Sequence, residues 1–336
     1  MSHRRGVVRQ EGMSGTRNPE VVVVGAGLAG LTAAAVVARA GHRVVVLEAR
    51  ARAGGRARTD LVHGIPVNQG AHALYRGGPG WAVLRELGVI PVGEVPLSGG
   101  RLVVGDELRR LPTGPLTLMG TGALGPREKA ELAGLLARLP SVDTAALGGT
   151  SVSQWIADSV SGERSAALLR ALVRLSTYCD DPGKLSAEVA VGQLQLSAGG
   201  GVLYLYGGWS QLTEALAGVA GVRVRPGVAV SELPEAPAVV LAPGGPRLVE
   251  RLLGCDLGLG PAANVACLDL VVDRPPSPPF LLGLDRPHYL SDHSATLGSE
   301  REGPAGEGRG RHLVSVMQYH GVGERTTGPR WRASRP

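Results

Sequence analysis

The sequence predicts an α/β fold that begins with a Rossmann-like dinucleotide-binding domain. Val21–Val24 is an apolar run of the kind that forms a strand buried on both faces. Glycines and an alanine-rich stretch follow, which predicts a tight turn and a helix that ends near Ala40. Gly41 breaks this helix, Arg43–Leu47 predicts a second strand, and Glu48 stands at its carboxyl end. This order of strand, glycine turn, helix, strand and acid is typical of a unit that binds an adenine dinucleotide.

The glycine turn supplies the predicted contacts with the phosphates. Gly25 permits the sharp change from strand to helix, Gly27 lets a pyrophosphate approach the backbone, and Gly30 lets the helix pack close to the strand. The phosphates then meet the free amides and the positive dipole end of that helix. Glu48 lies 18 residues beyond Gly30, where a carboxylate can bond both ribose hydroxyls and disfavour a 2′-phosphate. The predicted cofactor-binding residues of the turn are Gly25, Ala26, Gly27, Leu28, Ala29 and Gly30.

Paired glycines after the acid distinguish between the dinucleotides. The run Gly54-Gly55-Arg56 suits a second close approach of the backbone to the cofactor, with a guanidinium for its phosphates. Through GAGLAG at 25–30, EAR at 48–50 and GGRART at 54–59, the chain resembles the superfamily of FAD-dependent amine oxidases and phytoene desaturases. The resemblance implies FAD as the cofactor. Beyond the turn, it implies cofactor contacts from Glu48, Ala49, Arg50, Gly54, Gly55 and Arg56.

Two other interpretations of this region stay open. A nicotinamide site followed by an arbitrary basic loop would carry the same glycine turn. The stretch Val21–Ala38 is also apolar enough to resemble a membrane span or a signal peptide after a basic leader. Its glycines and alanines, and the second strand that follows, favour the dinucleotide site and predict no transmembrane segment.

Two later segments resemble the same superfamily. Val67–Gly78 resembles the third cofactor segment, whose backbone borders the flavin ring. The implied contacts are Gly70, Ala71 and His72. His72 is the candidate catalytic residue, and a hydrogen-bonded structural histidine is the alternative. Gly199–Leu212 resembles a Gly-Gly-x-x-x-Leu segment that leads into a helix, and the resemblance further along the chain places the backbone of Val230 at the adenine.

Apolar spacing predicts mainly helical structure in the middle of the chain. A hairpin with a glycine turn is expected over Arg101–Leu111. Ser151 and Gln154 have the spacing of a capping box and begin a further helix. Trp155 and Tyr178 are expected in the core rather than at the cofactor. The other predicted helices are Trp81–Leu87, Arg127–Leu139 and Glu163–Thr177. The resemblance of Gly199–Leu212 implies one more helix, over Gln211–Ala217.

The remaining elements predict a discontinuous organisation. Strands are expected over Val222–Leu233, with a turn at Pro226-Gly227, and over Ala238–Ala242. Cys255–Val272 and Arg311–His320 are expected to contribute strands to a substrate sheet. The predicted parts are a disordered leader (1–19), an FAD-binding domain (20–88 with 199–256), a mainly helical substrate-side insertion (89–198), an incomplete mixed substrate sheet (257–320) and an irregular tail (321–336).

The charge and cysteine content of the chain restrict the binding partners that we expect. The formal net charge is +6, but most of the excess lies near the two ends, and no basic face is interleaved with aromatic residues, so no nucleic-acid partner is expected. Cys179, Cys255 and Cys267 match no metal spacing, which predicts no metal site and fits a reducing, cytoplasmic compartment. The expected partners are a small-molecule substrate and an electron acceptor, with peripheral membrane contact left open.

The end of the sequence departs from the superfamily. Its members continue further and return to the flavin with a Gly-Asp segment, whereas no Gly-Asp follows Gly105-Asp106 here. The expectation is a chain truncated after the strand-like Leu313–Met317, with an exposed sheet edge and part of the flavin open to solvent. Such a chain is expected to bind FAD only in part.

The resemblance also implies an activity. It implies transfer of hydride from a C–H or C–N bond of a small substrate, an apolar polyene or an amine, to flavin N5. No acid–base constellation is recognisable in the sequence. The alternatives are a truncated or non-catalytic dinucleotide-binding remnant, and a binding protein like the GDP-dissociation inhibitors, which share the architecture without redox chemistry.

Overall fold

The structure, a computed structural model, has a mixed α/β fold with one parallel Rossmann-like sheet and one mixed sheet, which confirms the predicted fold class. Throughout the part of the chain that it describes, no helix is both long and apolar enough to cross a membrane. The described residues are 19–62, 64–70, 72–96, 99–297 and 311–324.

Backbone proximity divides the chain into two compact units. The first unit lies within Met1–Arg58 and Leu212–Leu257, and the second lies within Thr59–Gln211 and Gly258–Pro336. In this division the stretches 59–88 and 199–211 group with the second unit. The sequence-based division, which follows the cofactor segments, remains a prediction.

The strands of the described chain are numbered in chain order. They are β1 (Val21–Val24), β2 (Val44–Glu48), β3 (Thr59–Val62), β4 (Ile65–Asn68), β5 (Leu74–Tyr75), β6 (Gly93–Glu94), β7 (Arg101–Val104), β8 (Glu107–Arg110), β9 (Val202–Leu205), β10 (Val222–Pro226), β11 (Ala238–Leu241), β12 (Val265–Val272), β13 (Phe280–Gly283), β14 (His288–Asp292) and β15 (His312–Tyr319). They form a four-stranded sheet in the order β10-β2-β1-β11 and a six-stranded sheet in the order β12-β15-β14-β13-β7-β8. Two small sheets, β3-β4 and β5-β9-β6, complete the set.

The helices are numbered in the same way. They are α1 (Leu28–Arg39), α2 (Pro79–Glu86), α3 (Pro115–Gly120), α4 (Pro126–Arg138), α5 (Val152–Ser159), α6 (Glu163–Thr177), α7 (Ala187–Gly200), α8 (Ser210–Ala217) and α9 (Pro246–Leu253). α2, α4, α6 and α8 lie where they are expected from the sequence, to within two residues at either end. α5 begins after Ser151, whose hydroxyl accepts the amide hydrogen of Gln154 at 3.2 Å, as the capping pattern predicts.

The parallel sheet of the first unit forms from short runs rich in β-branched residues, which pack well on a pleated surface. β1 pairs in parallel with β2 on one side and with β11 on the other. Val22, Val23 and Val24 are at most 4% exposed, so both faces of β1 are buried. α1 packs against this sheet through small and apolar residues, with Leu31 and Ala34 fully buried.

The segment predicted to be strand-like over Val222–Leu233 forms a strand only before its predicted turn at Pro226-Gly227. β10 stops at Pro226, and the chain beyond Gly227 forms no strand, although apolar residues alternate there. Val228 and Val230 instead pack against the buried core of β1 and β2. Burial of these two side chains without a partner strand accounts for the alternation.

The mixed sheet of the second unit joins distant parts of the chain. β7 and β8 form the predicted hairpin, with Gly105 at its turn in a left-handed conformation (φ 58°). β13 pairs in parallel with β7, whereas β13, β14, β15 and β12 pair in antiparallel fashion. The strand predicted within Cys255–Val272 begins only at Val265. The run before it contains Gly258, Gly260 and Pro261, which disfavour a strand.

Helices of the second unit enclose its main apolar core. α4 contributes Leu132 and Leu135, and α6 contributes Leu168 and Leu169, each at most 5% exposed. Trp155 of α5 lies in the same cluster and is buried, as the sequence predicts. The spacing of apolar residues along each helix therefore indicates which side of the helix faces this core.

Arg174 and Tyr178, at the end of α6, link that helix to the mixed sheet. The Arg174 guanidinium is buried, pairs with Asp180 at 3.3 Å and donates to the carbonyl oxygen of Gly283 at 2.9 Å. These partners offset the cost of burying its charge. Tyr178 ends α6 in the left-handed conformation and packs edge-on against Tyr319, with ring centroids 6.2 Å apart. Tyr178 thus contributes to an aromatic cluster of the core, as predicted.

Gly208, the second glycine of the Gly207-Gly208-Trp209 motif, packs onto two buried polar side chains. The Thr59 hydroxyl donates to Asn68 Oδ1 at 2.8 Å, and the amide of Trp209 donates to the same oxygen at 3.0 Å. A Cβ at Gly208 would lie 2.3 Å from Thr59 Oγ1 and 2.5 Å from Asn68 Oδ1. The motif is therefore tied to β3 and β4 by contacts that leave no room for a side chain.

Gly208→Ala is expected to destabilise the second unit more than Gly207→Ala. Both residues have a positive φ (84° and 66°), so alanine costs roughly 1–2 kcal/mol of backbone strain at either position. A Cβ at Gly207 meets no atom within 4 Å, whereas one at Gly208 must displace Thr59 and Asn68. The urea midpoint of unfolding, followed by circular dichroism, should fall further for Gly208→Ala, and equal shifts would contradict the steric argument.

Candidate functional site

Two close backbone contacts shape the glycine turn of the first unit. Gly25 has a φ of 101°, and a Cβ there would lie 2.3 Å from the carbonyl oxygen of Ala242. A Cβ at Gly30 would lie 1.9 Å from the carbonyl oxygen of Gly25. A side chain at either position would push the strand and the helix apart. Both positions therefore require glycine for steric reasons, as the sequence predicts.

Gly27 differs, because the space beside it is open. A Cβ built there meets no atom within 4 Å, and its φ of −78° suits any residue. Gly27 is the N-cap of α1, and its carbonyl oxygen accepts the amide hydrogen of Leu31 at 2.9 Å. The amides of Leu28, Ala29 and Gly30 precede that bond, at the positive end of the helix dipole. This end of α1 can hold an anion such as a pyrophosphate.

Two backbone amides hold the Glu48 carboxylate beside the turn. Its Oε2 accepts from the Ala26 amide at 2.8 Å, and its Oε1 accepts from the Arg50 amide at 2.9 Å. Glu48 is buried, and these two bonds offset part of the cost of desolvating its charge. Each carboxylate oxygen keeps a lone pair for a further donor, such as a ribose hydroxyl.

The Gly54-Gly55 pair lies against the glycine turn. The Gly54 amide donates to the carbonyl oxygen of Ala26 at 2.7 Å, and a Cβ at Gly55 would lie 3.3 Å from Gly27 Cα. Both glycines have a positive φ (117° and 54°), so a larger residue would strain the contact. Two separate glycine segments thus form one backbone surface. The exposed residues around it are Ala29, Ala49, Arg50 and Arg56.

These residues fit an adenine dinucleotide. The open space beside Gly27 leaves room for a pyrophosphate, the end of α1 supplies amides, and Glu48 supplies a carboxylate for a ribose. Val230 is half-buried over the apolar core of the same unit. Contact of its backbone with adenine stays a prediction.

A second group of residues, here called the histidine–tyrosine cluster, consists of His72, Tyr204, Tyr289 and His293 in the second unit. The ring of His293 stacks on Tyr204 with centroids 4.3 Å apart and lies 4.6 Å from the ring of His72. The Tyr289 hydroxyl and His293 Nε2 are 3.2 Å apart, a hydrogen-bond distance. All four side chains are buried.

Burial sets the protonation of the histidine–tyrosine cluster. Desolvation lowers the pKa of His72, although the nearby Asp269 opposes this effect. Desolvation, together with His72, holds the pKa of His293 well below its usual value. The same desolvation raises the pKa of Tyr204 and holds that of Tyr289 well above its usual range. The cluster is therefore uncharged at neutral pH.

His72 is the only predicted site residue in this cluster. Gly70 is half-buried beside it in sequence, and Ala71 lies outside the described residues. Nδ1 of His72 is buried and has no hydrogen-bond partner among the described residues. Both interpretations of His72, a catalytic residue and a hydrogen-bonded structural histidine, therefore stay predictions, with Nδ1 as the ring nitrogen that a ligand could use.

Sequence reasoning missed the neighbours of His72. Besides His293, the fold brings Cys267 and Asp269 of β12 close to it. These residues lie about 200 positions further along the chain, so the spacing of residues in the sequence does not predict the contact. The expectation that no metal site exists rested on spacing alone and could not include this grouping.

Comparison with known proteins identifies the family. The family model for flavin containing amine oxidoreductases matches residues 28–241, more than half of the chain. The chain belongs to this family. The match confirms the resemblance inferred from the glycine segments, and a flavin-containing family implies FAD.

The chain is similar to curated relatives only over a short stretch. A stretch of 53 residues is 60% identical to an L-amino-acid oxidase of Bothrops pauloensis, and it spans 16% of this chain. The same stretch covers only 10% of that oxidase. The activity of the whole relative is therefore not transferred by this match.

Solved structures share the fold over most of the chain. An oxidoreductase from Methanosarcina mazei has a TM-score of 0.69 at 21% identity, over 89% of this chain and 79% of the other. Wild-type putrescine oxidase bound to putrescine gives 0.65 at 19% identity, over 90% and 75%. A Rab GDI from Plasmodium falciparum gives 0.63 at 12% identity, over 91% and 83%. At these identities the likeness shows the fold alone.

The buried histidines predict that acid destabilises the second unit. Their pKa is lower in the folded chain than in the unfolded chain, so below about pH 6.5 the unfolded chain binds more protons and stability falls. His293→Gln keeps an amide for Tyr289 but cannot take up a proton. It is expected to flatten the decline below about pH 6.5 by up to about 1.4 kcal/mol per pH unit.

Thermal unfolding of the wild type and His293→Gln across a pH series measures this difference. The two curves should run parallel above about pH 6.5, where His293 is neutral in both states, and diverge below it. Equal slopes below that pH would contradict the assignment of His293 as a buried neutral histidine.

Proposed function

We propose that the chain is an FAD-dependent oxidoreductase that removes hydride from a carbon bonded to nitrogen in a small amine. The observation that carries the proposal is the open face of Gly27 at the end of α1, beside the anchored carboxylate of Glu48. These groups suit the pyrophosphate and ribose of a dinucleotide. Family membership favours a flavin over a nicotinamide.

The residues that would hold FAD lie in two stretches of the first unit. Gly27 and the first amides of α1 face the pyrophosphate, and Glu48 accepts from the ribose hydroxyls. The guanidinium groups of Arg50 and Arg56 are exposed and can pair with phosphate oxygens. When bound, FAD supplies an acceptor for hydride at its N5 atom.

Amine oxidation follows from the family and from the names of two similar proteins. L-amino-acid oxidase and putrescine oxidase are named for substrates that carry amino groups. An amine that loses hydride from carbon and a proton from nitrogen gains a C=N double bond. Oxygen, a quinone or another acceptor would then take up the two electrons of that hydride. A polyene that loses hydrogen from adjacent carbons is the alternative substrate.

The histidine–tyrosine cluster supports an uncharged substrate. Its four side chains are buried and neutral near pH 7, so a substrate held against them would meet no fixed charge. Such a surface suits the neutral form of an amine, which carries the nitrogen lone pair that a C=N double bond requires. His72 belongs to this surface as the predicted substrate-facing residue.

Spectroscopy of the purified chain tests the proposal. We expect flavin absorbance after reconstitution with FAD, and bleaching of that absorbance when an amine is added without oxygen. Putrescine, cyclohexylamine and L-amino acids form the amine panel, and a carotenoid precursor forms the polyene arm. Bleaching by the polyene alone would favour the desaturase alternative. Failure to retain any FAD would overturn the proposal.

Gly27→Ala and Gly30→Ala should separate cofactor binding from folding. The added methyl group at Gly27 enters open space and leaves the fold intact, but it occupies the position proposed for the pyrophosphate. FAD affinity is expected to fall at least about tenfold, since each 1.4 kcal/mol is a factor of ten. The added methyl group at Gly30 meets the Gly25 carbonyl oxygen and should destabilise the first unit itself.

Calorimetric titration with FAD, and thermal unfolding without FAD, measure the two effects. Gly27→Ala should unfold like the wild type and bind FAD weakly, whereas Gly30→Ala should unfold earlier. If Gly27→Ala bound FAD with unchanged affinity, the phosphate would not lie at this turn.

The fold likeness to a Rab GDI supports a second candidate, a binding protein without redox chemistry. This candidate predicts no reducible flavin and binding of a prenylated peptide, which fluorescence anisotropy can detect. An amine-reducible flavin would exclude it.

A further inference from the structure

Cys267 and Asp269 project from one face of β12, because side chains two positions apart in a strand point to the same side. A ring nitrogen of His72, Cys267 Sγ and a carboxylate oxygen of Asp269 all lie within 4.8 Å of one another. Some point then lies no more than about 2.8 Å from all three atoms. Zinc–ligand distances are about 2.0–2.3 Å, so small side-chain shifts would bring all three into coordination.

His72 provides an independent indication of a ligand. It is 5% exposed, and its Nδ1 has no hydrogen-bond partner among the described residues. A buried ring nitrogen without a partner has lost its bond to water and has gained nothing in return. A metal ion or another ligand at this nitrogen would remove that cost.

Asp269 is held in place by a residue of the neighbouring strand. Ser315 lies opposite Asp269 in the pairing of β12 with β15, and its hydroxyl donates to Asp269 Oδ1. The bond orients the carboxylate through Oδ1, which also lies 3.9 Å from Cys267 Sγ. Metal-bound carboxylates commonly have such an outer hydrogen bond, which fixes their direction.

We propose that His72, Cys267 and Asp269 form a binding site for a divalent transition metal, with Zn²⁺ as the best match. The donors are one nitrogen, one sulfur and one oxygen, a set that zinc accepts and that Mg²⁺ and Ca²⁺ do not prefer. Three protein donors leave a fourth position for water or for a small ligand with a lone pair, such as an amine. The site shares His72 with the proposed substrate surface, but its binding of a metal ion goes beyond the proposed function and requires no flavin.

Metal binding at this site releases a proton. Zinc binds thiolate, and a coordinated thiol loses its proton to solvent. Affinity should therefore weaken as the pH falls. Cys267 is exposed, which gives the ion a route to the three donors.

Cobalt substitution tests the site in the full chain. The protein is purified in the presence of a chelator and then titrated with Co²⁺, and difference spectra are recorded against the metal-free chain. We expect a thiolate-to-cobalt charge-transfer band that saturates at one ion per chain and disappears when Zn²⁺ is added. A separate titration with FAD reports the proposed function, so either proposal can fail alone.

Variants identify the donors. Cys267→Ser should abolish the band, whereas Cys255→Ser, at an exposed free cysteine of the first unit, should leave it unchanged. Ser315→Ala removes only the bond that orients Asp269 and should weaken Co²⁺ binding by roughly 10–100-fold. Thermal unfolding confirms that each variant folds. Absence of the band, or its persistence in Cys267→Ser, would overturn the proposal.

Discussion

The proposed dinucleotide site depends on close contacts between backbone segments, because these contacts leave no room for side chains. Gly25 meets the carbonyl of Ala242, Gly30 meets Gly25, and Gly55 meets Gly27. These contacts bring the end of β1, the start of α1 and the Gly54-Gly55 segment into one surface. The Glu48 carboxylate then bonds the amide of Ala26 within that surface. A side chain at Gly25, Gly30 or Gly55 would separate the groups that are proposed to face one cofactor.

Desolvation plays the corresponding role in the histidine–tyrosine cluster. Burial keeps His72, His293 and the two tyrosines neutral, which makes the cluster a surface for stacking and hydrogen bonding rather than for charge. The same burial leaves Nδ1 of His72 without a hydrogen-bond partner among the described residues. The expected acid sensitivity and the two roles proposed for His72, in substrate binding and in metal binding, all depend on this burial.

Local elements were predictable because their signals lie within a few residues of sequence. The hairpin of β7 and β8, the capped start of α5 and the bounds of α6 follow from turn chemistry, capping and apolar spacing. The same reasoning was wrong beyond Pro226, where alternation reflects packing of Val228 and Val230 rather than a strand. Periodicity records which side chains are buried, and it does not record whether a partner strand is present.

The sequence by itself determined the βαβ unit, its glycine turn and Glu48, and through them the family. These features are local, since strand, turn and helix follow one another and each glycine has a steric reason to be there. Only the tertiary structure placed Cys267 and Asp269 beside His72, and His293 beside Tyr204. These contacts join separate sheets and the segments between them, and residues so far apart in the chain leave no common pattern in the sequence.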